Sequence, residues 1–226
     1  MDLSDLYPLI CTAVLGLLIA FFLFSYSKKQ STTNKRDTLL VCGPSGSGKT
    51  LLSYRLCLGK SPTTVASMKP SVLEFSPKNY TVVDFPGHPR LRTSLYTTYL
   101  EQTREIIFLV DASNVQTQAR EAAEFIYDLF TSPLVDKVIK FHVVCNKNDV
   151  ASSRPPARVK LTLQQELEKI KKTRMSLEEA DDSSFVPLGR EGKPFSFDQD
   201  SPIEIEFYGM SAKNDSLESI IESLGL

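Results

Sequence analysis

The amino-acid sequence predicts an α/β fold in which a mainly parallel six-stranded sheet is covered by helices on both faces. From residue 37 onward, short runs rich in β-branched residues alternate with helical patterns, which is typical of strands joined by crossovers. A glycine-rich stretch, GPSGSGKT, follows the first run. The runs SVLEF and YTVVDF are separated by only residues 76–79, too short a connection for a parallel crossover, and therefore predict one antiparallel hairpin at an edge of the sheet.

The predicted elements alternate along the chain. The strands are TLLVC (38–42), SVLEF (71–75), YTVVDF (80–85), EIIFLVD (105–111), VIKFHVVCN (138–146) and IEIEFYGM (203–210). One helix begins at Lys49, and others are expected at 91–100, 115–130, 161–172 and 216–224. Residues 176–201 mix acids, proline and glycine without a period. Because this stretch is longer than an ordinary connection, it predicts an exposed loop insertion.

The amino-terminal part of the chain carries a long apolar stretch. Residues 6–26, LYPLICTAVLGLLIAFFLFSY, contain no charged side chain, and a helix of this length spans about 30 Å, the thickness of the hydrocarbon core of a bilayer. They predict a single transmembrane helix. A cleavable signal peptide usually has a basic leader and a shorter apolar run, whereas Asp2 and Asp5 precede this one.

The charges on either side of this stretch predict its orientation. Lys28, Lys29, Lys35 and Arg36 follow it, and only acids precede it. The positive-inside rule therefore places residues 1–5 in the lumen, as a short tail, and everything after residue 26 in the cytosol. The polar stretch 27–36, SKKQSTTNKR, predicts a linker, and residues 37–226 predict a cytosolic domain.

Charge and cysteine content exclude several classes of protein. The formal net charge is −1, which argues against direct sequence-specific binding of nucleic acid, since that requires clustered basic residues. The cysteines Cys11, Cys42, Cys57 and Cys145 lie in apolar segments with irregular spacing. This arrangement predicts neither a disulfide framework nor a zinc site.

GPSGSGKT matches the phosphate-binding loop G-x-x-x-x-G-K-[ST] and lies between a predicted strand and a predicted helix, as that motif requires. Its backbone N–H groups are expected to surround phosphates, Lys49 to reach the outer phosphates, and Thr50 to bind Mg²⁺. Taken alone, the motif leaves ATP, GTP and a kinase substrate open. The predicted phosphate-binding residues are Gly43, Pro44, Ser45, Gly46, Ser47, Gly48, Lys49 and Thr50.

The stretch YTVVDFPGH supplies a second motif. Asp84 ends a strand beside the phosphate loop, where it is expected to hold the Mg²⁺ shell through water, and Gly87 is expected to offer an N–H to a γ-phosphate. Two interpretations of His88 remain open. It is either a catalytic residue that positions the attacking water or a histidine of the surface.

Base recognition is predicted from Asn146-Lys147-Asn148-Asp149, which follows an apolar strand. The Asp149 carboxylate can accept from both the N1–H and the N2–H₂ of guanine, a pair that adenine cannot donate. The Lys147 stem is expected to lie along the base, and Asn146 to join this loop to the phosphate loop. In Ser211-Ala212-Lys213, the Ala212 N–H is expected to meet guanine O6. The predicted ligand is therefore GTP, with Mg²⁺.

These motifs, in their order and spacing, resemble the small GTPase superfamily over residues 37–226. DFPGH is similar to the D-x-P-G-H of translation GTPases, and the lengths and helix positions are similar to the Arf and Sar branch. The superfamily closes a switch threonine over Mg²⁺. Here Ser67 aligns with that position and keeps the hydroxyl, and Thr64 remains the alternative under a shifted alignment.

With the amino-terminal stretch included, the whole chain resembles the beta subunits of the signal recognition particle receptor. That resemblance implies anchoring in the endoplasmic reticulum membrane through the lipid bilayer and GTP-dependent binding of the receptor's alpha subunit in a heterodimer. It also implies a part in delivering ribosomes with nascent secretory chains, with contact to the ribosome or the translocon.

Two hypotheses of function follow. In the first, the protein is a membrane-anchored GTP switch whose nucleotide state changes its affinity for a partner, because a spanning helix cannot leave the bilayer. In the second, it is an Arf/Sar-like trafficking GTPase whose hydrolysis cycle is the output. Since His88 stands where many relatives carry Gln, slow hydrolysis of GTP to GDP and phosphate is expected. A P-loop ATPase or kinase is a third interpretation.

Overall fold

A twisted sheet of six strands organises the part of the chain that the computed structural model describes, which is residues 37–65, 67–76, 78–92, 94, 98–178, 188–190 and 192–226. The strands lie in the order β2-β3-β1-β4-β5-β6 across the sheet. They are β1 (Thr38–Cys42), β2 (Ser71–Phe75), β3 (Tyr80–Asp84), β4 (Thr103–Asp111), β5 (Lys140–Asn146) and β6 (Glu204–Gly209).

Helices connect most of these strands. The α-helices are α1 (Lys49–Leu58), α2 (Val115–Phe130), α3 (Pro156–Glu178), α4 (Phe197–Asp200) and α5 (Leu217–Leu224), and 3₁₀ turns occupy Pro89–Leu91, Leu100–Gln102 and Val135–Lys137. The helices predicted at 115–130 and 216–224 are confirmed, and the Ser216 side chain caps α5 by accepting from the Ser219 N–H at 3.1 Å. The helix predicted over 91–100 lies partly outside the described residues.

The predicted strand pairing is confirmed. β1 runs parallel to both β3 and β4, β4 parallel to β5, and β5 parallel to β6. β2 pairs antiparallel with β3, with Ser71 opposite Asp84, and forms one edge. The hairpin is antiparallel because its short connection reverses the chain without room for a crossover.

Both faces of the central strands are buried, which explains their nearly continuous apolar runs. On one face, residues such as Phe108 and Phe141 pack against the apolar sides of α2 and α3. On the other face, Val41 and Leu109 pack with Leu52 of α1 and with α5. Successive residues point to opposite faces of a strand. Because both faces are covered, a polar residue fits best where a strand ends.

Helix α3 is longer than the pattern predicts, since it covers Pro156–Glu178 and not only 161–172. Proline at the first helical position lacks only an N–H that the helix would leave unpaired, so Pro156 begins the helix and does not prevent it. The buried residues Val159, Leu163, Leu167 and Ile170 then recur at helical spacing.

Only part of the segment 176–201 corresponds to the expected exposed loop, since its described residues include exposed and buried ones. Its first three residues, 176–178, end α3, and Leu188, Phe195 and Phe197 are buried in the same core as α2 and α3. Polar contacts attach this part to α3. The buried Lys171 Nζ donates to the carbonyls of Arg190 at 2.6 Å and Lys193 at 3.1 Å. Composition alone predicted a solvated loop because it does not reveal packing between residues that are far apart in the sequence.

The predicted amino-terminal elements lie outside the described residues. These are the lumenal tail (1–5), the transmembrane helix (6–26) and the linker (27–36). Within the part of the chain that the structure describes, no helix combines the length and the apolar character needed to cross a membrane.

Replacement of Phe197 by alanine tests the packing of this segment. The ring is 1% exposed, and it makes edge-on contacts with Phe130, Phe195 and Phe207 at centroid distances of 6.4, 5.2 and 5.2 Å. We expect Phe197→Ala to lower the free energy of unfolding by about 3–5 kcal/mol, because it leaves a cavity in the core.

Urea denaturation of the purified chain measures the change. Leu161→Ala is the matched control, because Leu161 is an exposed apolar residue of α3, and it should change the free energy of unfolding by less than about 1 kcal/mol. A loss below about 1 kcal/mol for Phe197→Ala would contradict the packed arrangement.

Candidate functional site

The polar residues singled out in the sequence follow the carboxyl ends of the strands, at one end of the sheet. Parallel strands place their carboxyl ends on the same side, so the residues that follow β1, β3, β4 and β5 meet there. Between them lies a cavity of about 400 Å³. It is lined by Ser45, Gly46, Gly48, Lys49, Thr50, Leu51, Thr64, Val65, Ser67, Phe85, Pro86, Gly87 and Lys147.

The loop Gly43 to Thr50 forms the floor of this cavity. Gly48, which precedes α1, has φ +97°, and a Cβ placed on it would lie 2.3 Å from the Asn146 Nδ2 atom. Only glycine permits both that conformation and that close approach. The Lys49 side chain is buried, and its Nζ donates to the Pro44 carbonyl at 2.7 Å. Burial lowers the pKa of Lys49, although the nearby Asp84 carboxylate opposes this.

Three side chains predicted to bind a metal lie together at the start of α1. The Thr50 hydroxyl donates to Asp84 Oδ2 at 2.7 Å, and Thr50 Oγ1 lies 3.5 Å from the Ser67 Oγ. Asp84 is buried, and this burial raises its pKa against the lowering effects of Thr50 and Lys49. Its second oxygen, Oδ1, has no hydrogen-bond partner in the described part of the protein.

These observations fit a divalent cation. A buried carboxylate oxygen without a partner is costly, and oxygen atoms from carboxylate and hydroxyl groups are the ligands that Mg²⁺ prefers. Asp84, Thr50 and Ser67 would hold the ion or its water shell. The alternative residue, Thr64, also lines the cavity, but it is the hydroxyl of Ser67 that lies beside Thr50.

Gly87 lies close to the phosphate loop. It is buried, and a Cβ on it would lie 2.6 Å from the Ser45 N and 2.7 Å from the Gly43 O. No other residue fits there without displacing the loop. The predicted contact of the Gly87 N–H with a γ-phosphate stays a prediction.

On the opposite side of the cavity, the side chain of Asn146 joins two loops. Its Nδ2 donates to the Ser47 carbonyl at 2.7 Å, and its Oδ1 accepts from the Ala212 N–H at 2.8 Å. The expected link between Asn146 and the phosphate loop is therefore present. The Ala212 N–H, expected to meet guanine O6, donates to Asn146 in this structure, so a contact to the base stays a prediction.

The remaining predicted base-binding residues surround the same opening. Lys147 has φ +65° and lines the cavity, whereas Asp149 is exposed in the turn that follows. Ser211 is buried, its N–H donates to Asp215 Oδ2 at 2.7 Å, and Lys213 is exposed. The structure thus brings Lys147 to the cavity, buries Asn146 between the phosphate loop and the turn of Ala212, and leaves Asp149 and Lys213 exposed.

His88 is exposed and is not among the residues that line the cavity. Its Nδ1 accepts from the Arg90 N–H at 3.2 Å and caps the short turn Pro89–Leu91. This geometry corresponds to the interpretation of His88 as a surface residue in the conformation described. Arg92 is buried against the Phe125 ring and pairs with Glu121 at 3.4 Å.

Two residues around the site were not found from the sequence. Asp111 ends β4, and its Oδ2 accepts from the Lys147 Nζ at 2.6 Å. Arg55 of α1 donates to the carbonyls of Ala212 and Asp215, both at 2.7 Å, and so supports the turn that carries Ala212. The apolar run before Asp111 predicted a strand, but only the pairing of β4 with β5 places its carboxylate beside Lys147.

Comparison with known proteins places this geometry in a family. Residues 34–201 match the family model described as Signal recognition particle receptor beta subunit. A curated relative, the signal recognition particle receptor subunit beta of Rattus norvegicus, is 33% identical over 215 residues, covering 90% of this chain and 78% of the relative.

Solved structures share the fold. The structure of the mammalian signal recognition particle receptor aligns with a TM-score of 0.67 at 28% identity, covering 83% of this chain and 97% of the other. The Chaetomium thermophilum SRb-GTP/SRX complex aligns at 0.66 and 20% identity, covering 83% and 98%. The Arl6 small GTPase of Trypanosoma brucei, with a bound nucleotide analogue, aligns at 0.57 and 17% identity, covering 83% and 94%.

The predicted small-GTPase fold, with a mainly parallel sheet and one antiparallel pair, is thereby confirmed. The family model covers most of the chain, including the phosphate loop, Asp84 and Asn146. The chain belongs to the signal recognition particle receptor beta subunit family.

Proposed function

We propose that this protein is a membrane-anchored GTP switch that binds the alpha subunit of the signal recognition particle receptor in its GTP form. The observation that carries the proposal is the meeting of Thr50, Ser67 and Asp84 at one end of the cavity floored by the phosphate loop. A nucleotide triphosphate with Mg²⁺ would satisfy these groups together. The solved complex named SRb-GTP/SRX supports the same proposal by analogy.

Each side of the cavity has a distinct task in this proposal. The loop 43–50 would cradle the phosphates with its N–H groups, and Lys49 would exchange the Pro44 carbonyl for phosphate oxygens. Asp84, Thr50 and Ser67 would hold Mg²⁺, whose charge would offset that of the phosphates. Lys147 and Asp149 would bind the guanine. The Lys147 stem would lie along the face of the base, and the Asp149 carboxylate would accept hydrogen bonds from its edge.

The nucleotide signal would reach a partner through the segment that carries Ser67. Beside it lie Val65 and Met68, which are 85% and 65% exposed, and Val72 on the edge strand β2 is 60% exposed. Exposed apolar side chains grouped in this way mark interaction surfaces. A γ-phosphate that engages Ser67 would order this patch, and its loss would release it.

The remaining parts of the proposal concern the membrane. Residues 6–26 would anchor the protein in the endoplasmic reticulum membrane, with residues 1–5 lumenal and the GTPase domain cytosolic, and residues 27–36 would link the two. Fixed in this way, the switch would hold the alpha subunit at the site where ribosomes deliver nascent secretory chains, near the translocon.

Partner binding tests the central claim. We expect the full chain loaded with a non-hydrolysable GTP analogue to bind purified receptor alpha subunit, and the GDP-loaded chain to bind at least about tenfold more weakly. Met68→Glu should abolish the preference of the alpha subunit for the GTP form, because it places a charge in the apolar patch formed by Val65, Met68 and Val72. Equilibrium binding measures both.

Ile139→Glu is the matched control for this experiment. Ile139 is 56% exposed and precedes β5, at the end of the sheet away from the cavity, so its replacement should leave partner binding unchanged. Equal affinity of the GTP and GDP forms for the alpha subunit would refute the switch proposal.

The choice of base is tested at Asp149. We expect Asp149→Asn to weaken GTP binding about 10- to 100-fold, because the guanine N1–H and N2–H₂ lose a charged acceptor. Isothermal titration with GTP, and competition with ATP, measure the change. Asp136→Asn removes another exposed loop carboxylate, far from the cavity, and should have no effect. Unaltered GTP affinity in Asp149→Asn would favour the ATPase or kinase interpretation.

Hydrolysis as the output is the alternative function, and His88 tests it. Because His88 is exposed and caps a turn, we expect His88→Ala to change the single-turnover rate of GTP hydrolysis by less than about threefold. A general base is worth about 10²-fold or more. A loss of that size, with GTP affinity unchanged, would make His88 catalytic and favour the trafficking GTPase.

A further inference from the structure

We propose that Asp111 is a positioning residue for the nucleotide: it holds Lys147 in the shape that forms one wall of the base site. This inference rests on the proposed function, because it concerns how that function's ligand is received. Asp111 does not touch the ligand in this view. It acts through the Lys147 side chain.

The carboxylate of Asp111 is itself held from several directions. Its side chain is 7% exposed, and Oδ1 accepts from the Ser113 N–H at 3.0 Å and from the Ser113 hydroxyl at 2.6 Å. Oδ2 accepts from the Lys147 Nζ at 2.6 Å. Both oxygens are therefore satisfied, and the orientation of the carboxylate is set before any ligand arrives.

The backbone joins the two residues as well. Asp111 lies opposite Asn146 in the pairing of β4 with β5, and the Ala112 N–H donates to the Asn146 carbonyl at 2.9 Å. Lys147 follows directly and lines the cavity. Its ammonium reaches back across the strand ends to Asp111, so its methylene stem lies along the opening between them.

The conformation of Lys147 needs this support. Its φ of +65° is unusual for a residue with a side chain, and such conformations persist when the surroundings hold them. The Val150 N–H donates to the Lys147 carbonyl at 3.1 Å, which fixes the turn on one side. The ion pair with Asp111 fixes the side chain on the other.

A Lys147 side chain that is ordered before the nucleotide binds favours binding. A lysine side chain has many rotamers, and ordering it when the ligand binds reduces affinity. Asp111 has ordered it already. Most ion pairs at the surface contribute little because both partners remain solvated. Here Lys147 is 38% exposed but Asp111 is only 7% exposed, so separating the pair leaves a buried carboxylate without its cation.

Nucleotide dissociation from three variants of the full chain tests the inference. Asp111→Asn keeps the shape of the side chain and removes the charge, and Lys147→Met keeps the stem and removes the ammonium. We expect each to raise the dissociation rate of a fluorescent GDP analogue about tenfold. The double variant should dissociate no faster than either single variant, because both changes break one contact.

Two controls separate positioning from general damage. Asp198→Asn breaks the ion pair between Lys160 and Asp198, which has the same 2.6 Å length but lies on α3 and α4 away from the cavity, and it should leave the rate unchanged. The ratio of GTP to ITP affinity should also be unchanged in Asp111→Asn, since Asp149 reads the base edge.

Several results would overturn the inference. A wild-type dissociation rate in Asp111→Asn, or effects of Asp111→Asn and Lys147→Met that multiply in the double variant, would overturn the inference while the proposed function stands. A wild-type chain without preference for guanine nucleotides would overturn both. If Asp111→Asn does not fold, Ser113→Ala loosens the same carboxylate and should raise the rate about two- to threefold; an unchanged rate would overturn the inference.

Discussion

The buried side-chain amide of Asn146 joins the loops on which the site depends. It donates to the phosphate loop at Ser47 and accepts from the turn at Ala212, two segments that lie on opposite sides of it in the sheet. A buried amide with both ends paired is stable only in one orientation. The distance between the phosphate loop and the base-binding turns is therefore set by one residue at the end of β5. Gly48 belongs to the same constraint, because any larger residue would collide with this amide.

Around this link, buried charges prepare the site for a charged ligand. Lys49 and Asp84 are both buried, and burial disfavours the charge on each by lowering the pKa of the lysine and raising that of the acid. Each has partial compensation from its neighbours, namely the Pro44 carbonyl and the Thr50 hydroxyl. In the proposed function, phosphate oxygens and a cation would complete contacts that the protein leaves incomplete, such as that of the unpaired Asp84 Oδ1. The same segment that brings Ser67 to Thr50 carries exposed Val65 and Met68, so the chemistry and the proposed docking surface share one loop.

The local motifs were predictable because each depends on residues close together in the chain. The phosphate loop requires glycine where φ is positive and lysine and threonine at its end, and GPSGSGKT contains these residues. It also requires a helix after it, which the following residues predict. The antiparallel pairing of β2 and β3 followed from the length of their connection. By contrast, the Phe197 ring packs against Phe130, which lies far away in the chain. Composition does not reveal such a contact, and a segment expected to be exposed is in part buried. The roles of Asp111 and Arg55 were likewise invisible, since neither belongs to a short motif.

The sequence by itself determined the class of fold and the family, and it predicted the phosphate loop and the groups that would meet a metal and a base. Strand periodicity, turn chemistry and hydrogen-bonding capacity are local properties, and local properties can be read along a chain. The tertiary structure alone decided that His88 faces solvent and caps a turn, that the Ala212 N–H donates to Asn146, and that Asp111 meets Lys147. The contacts of Ala212 and Asp111 join residues far apart in the chain, so they exist only once the β-sheet has brought those segments side by side. The His88 contact is local, within two residues, and depends on the backbone conformation of the turn, which the residue types alone do not specify.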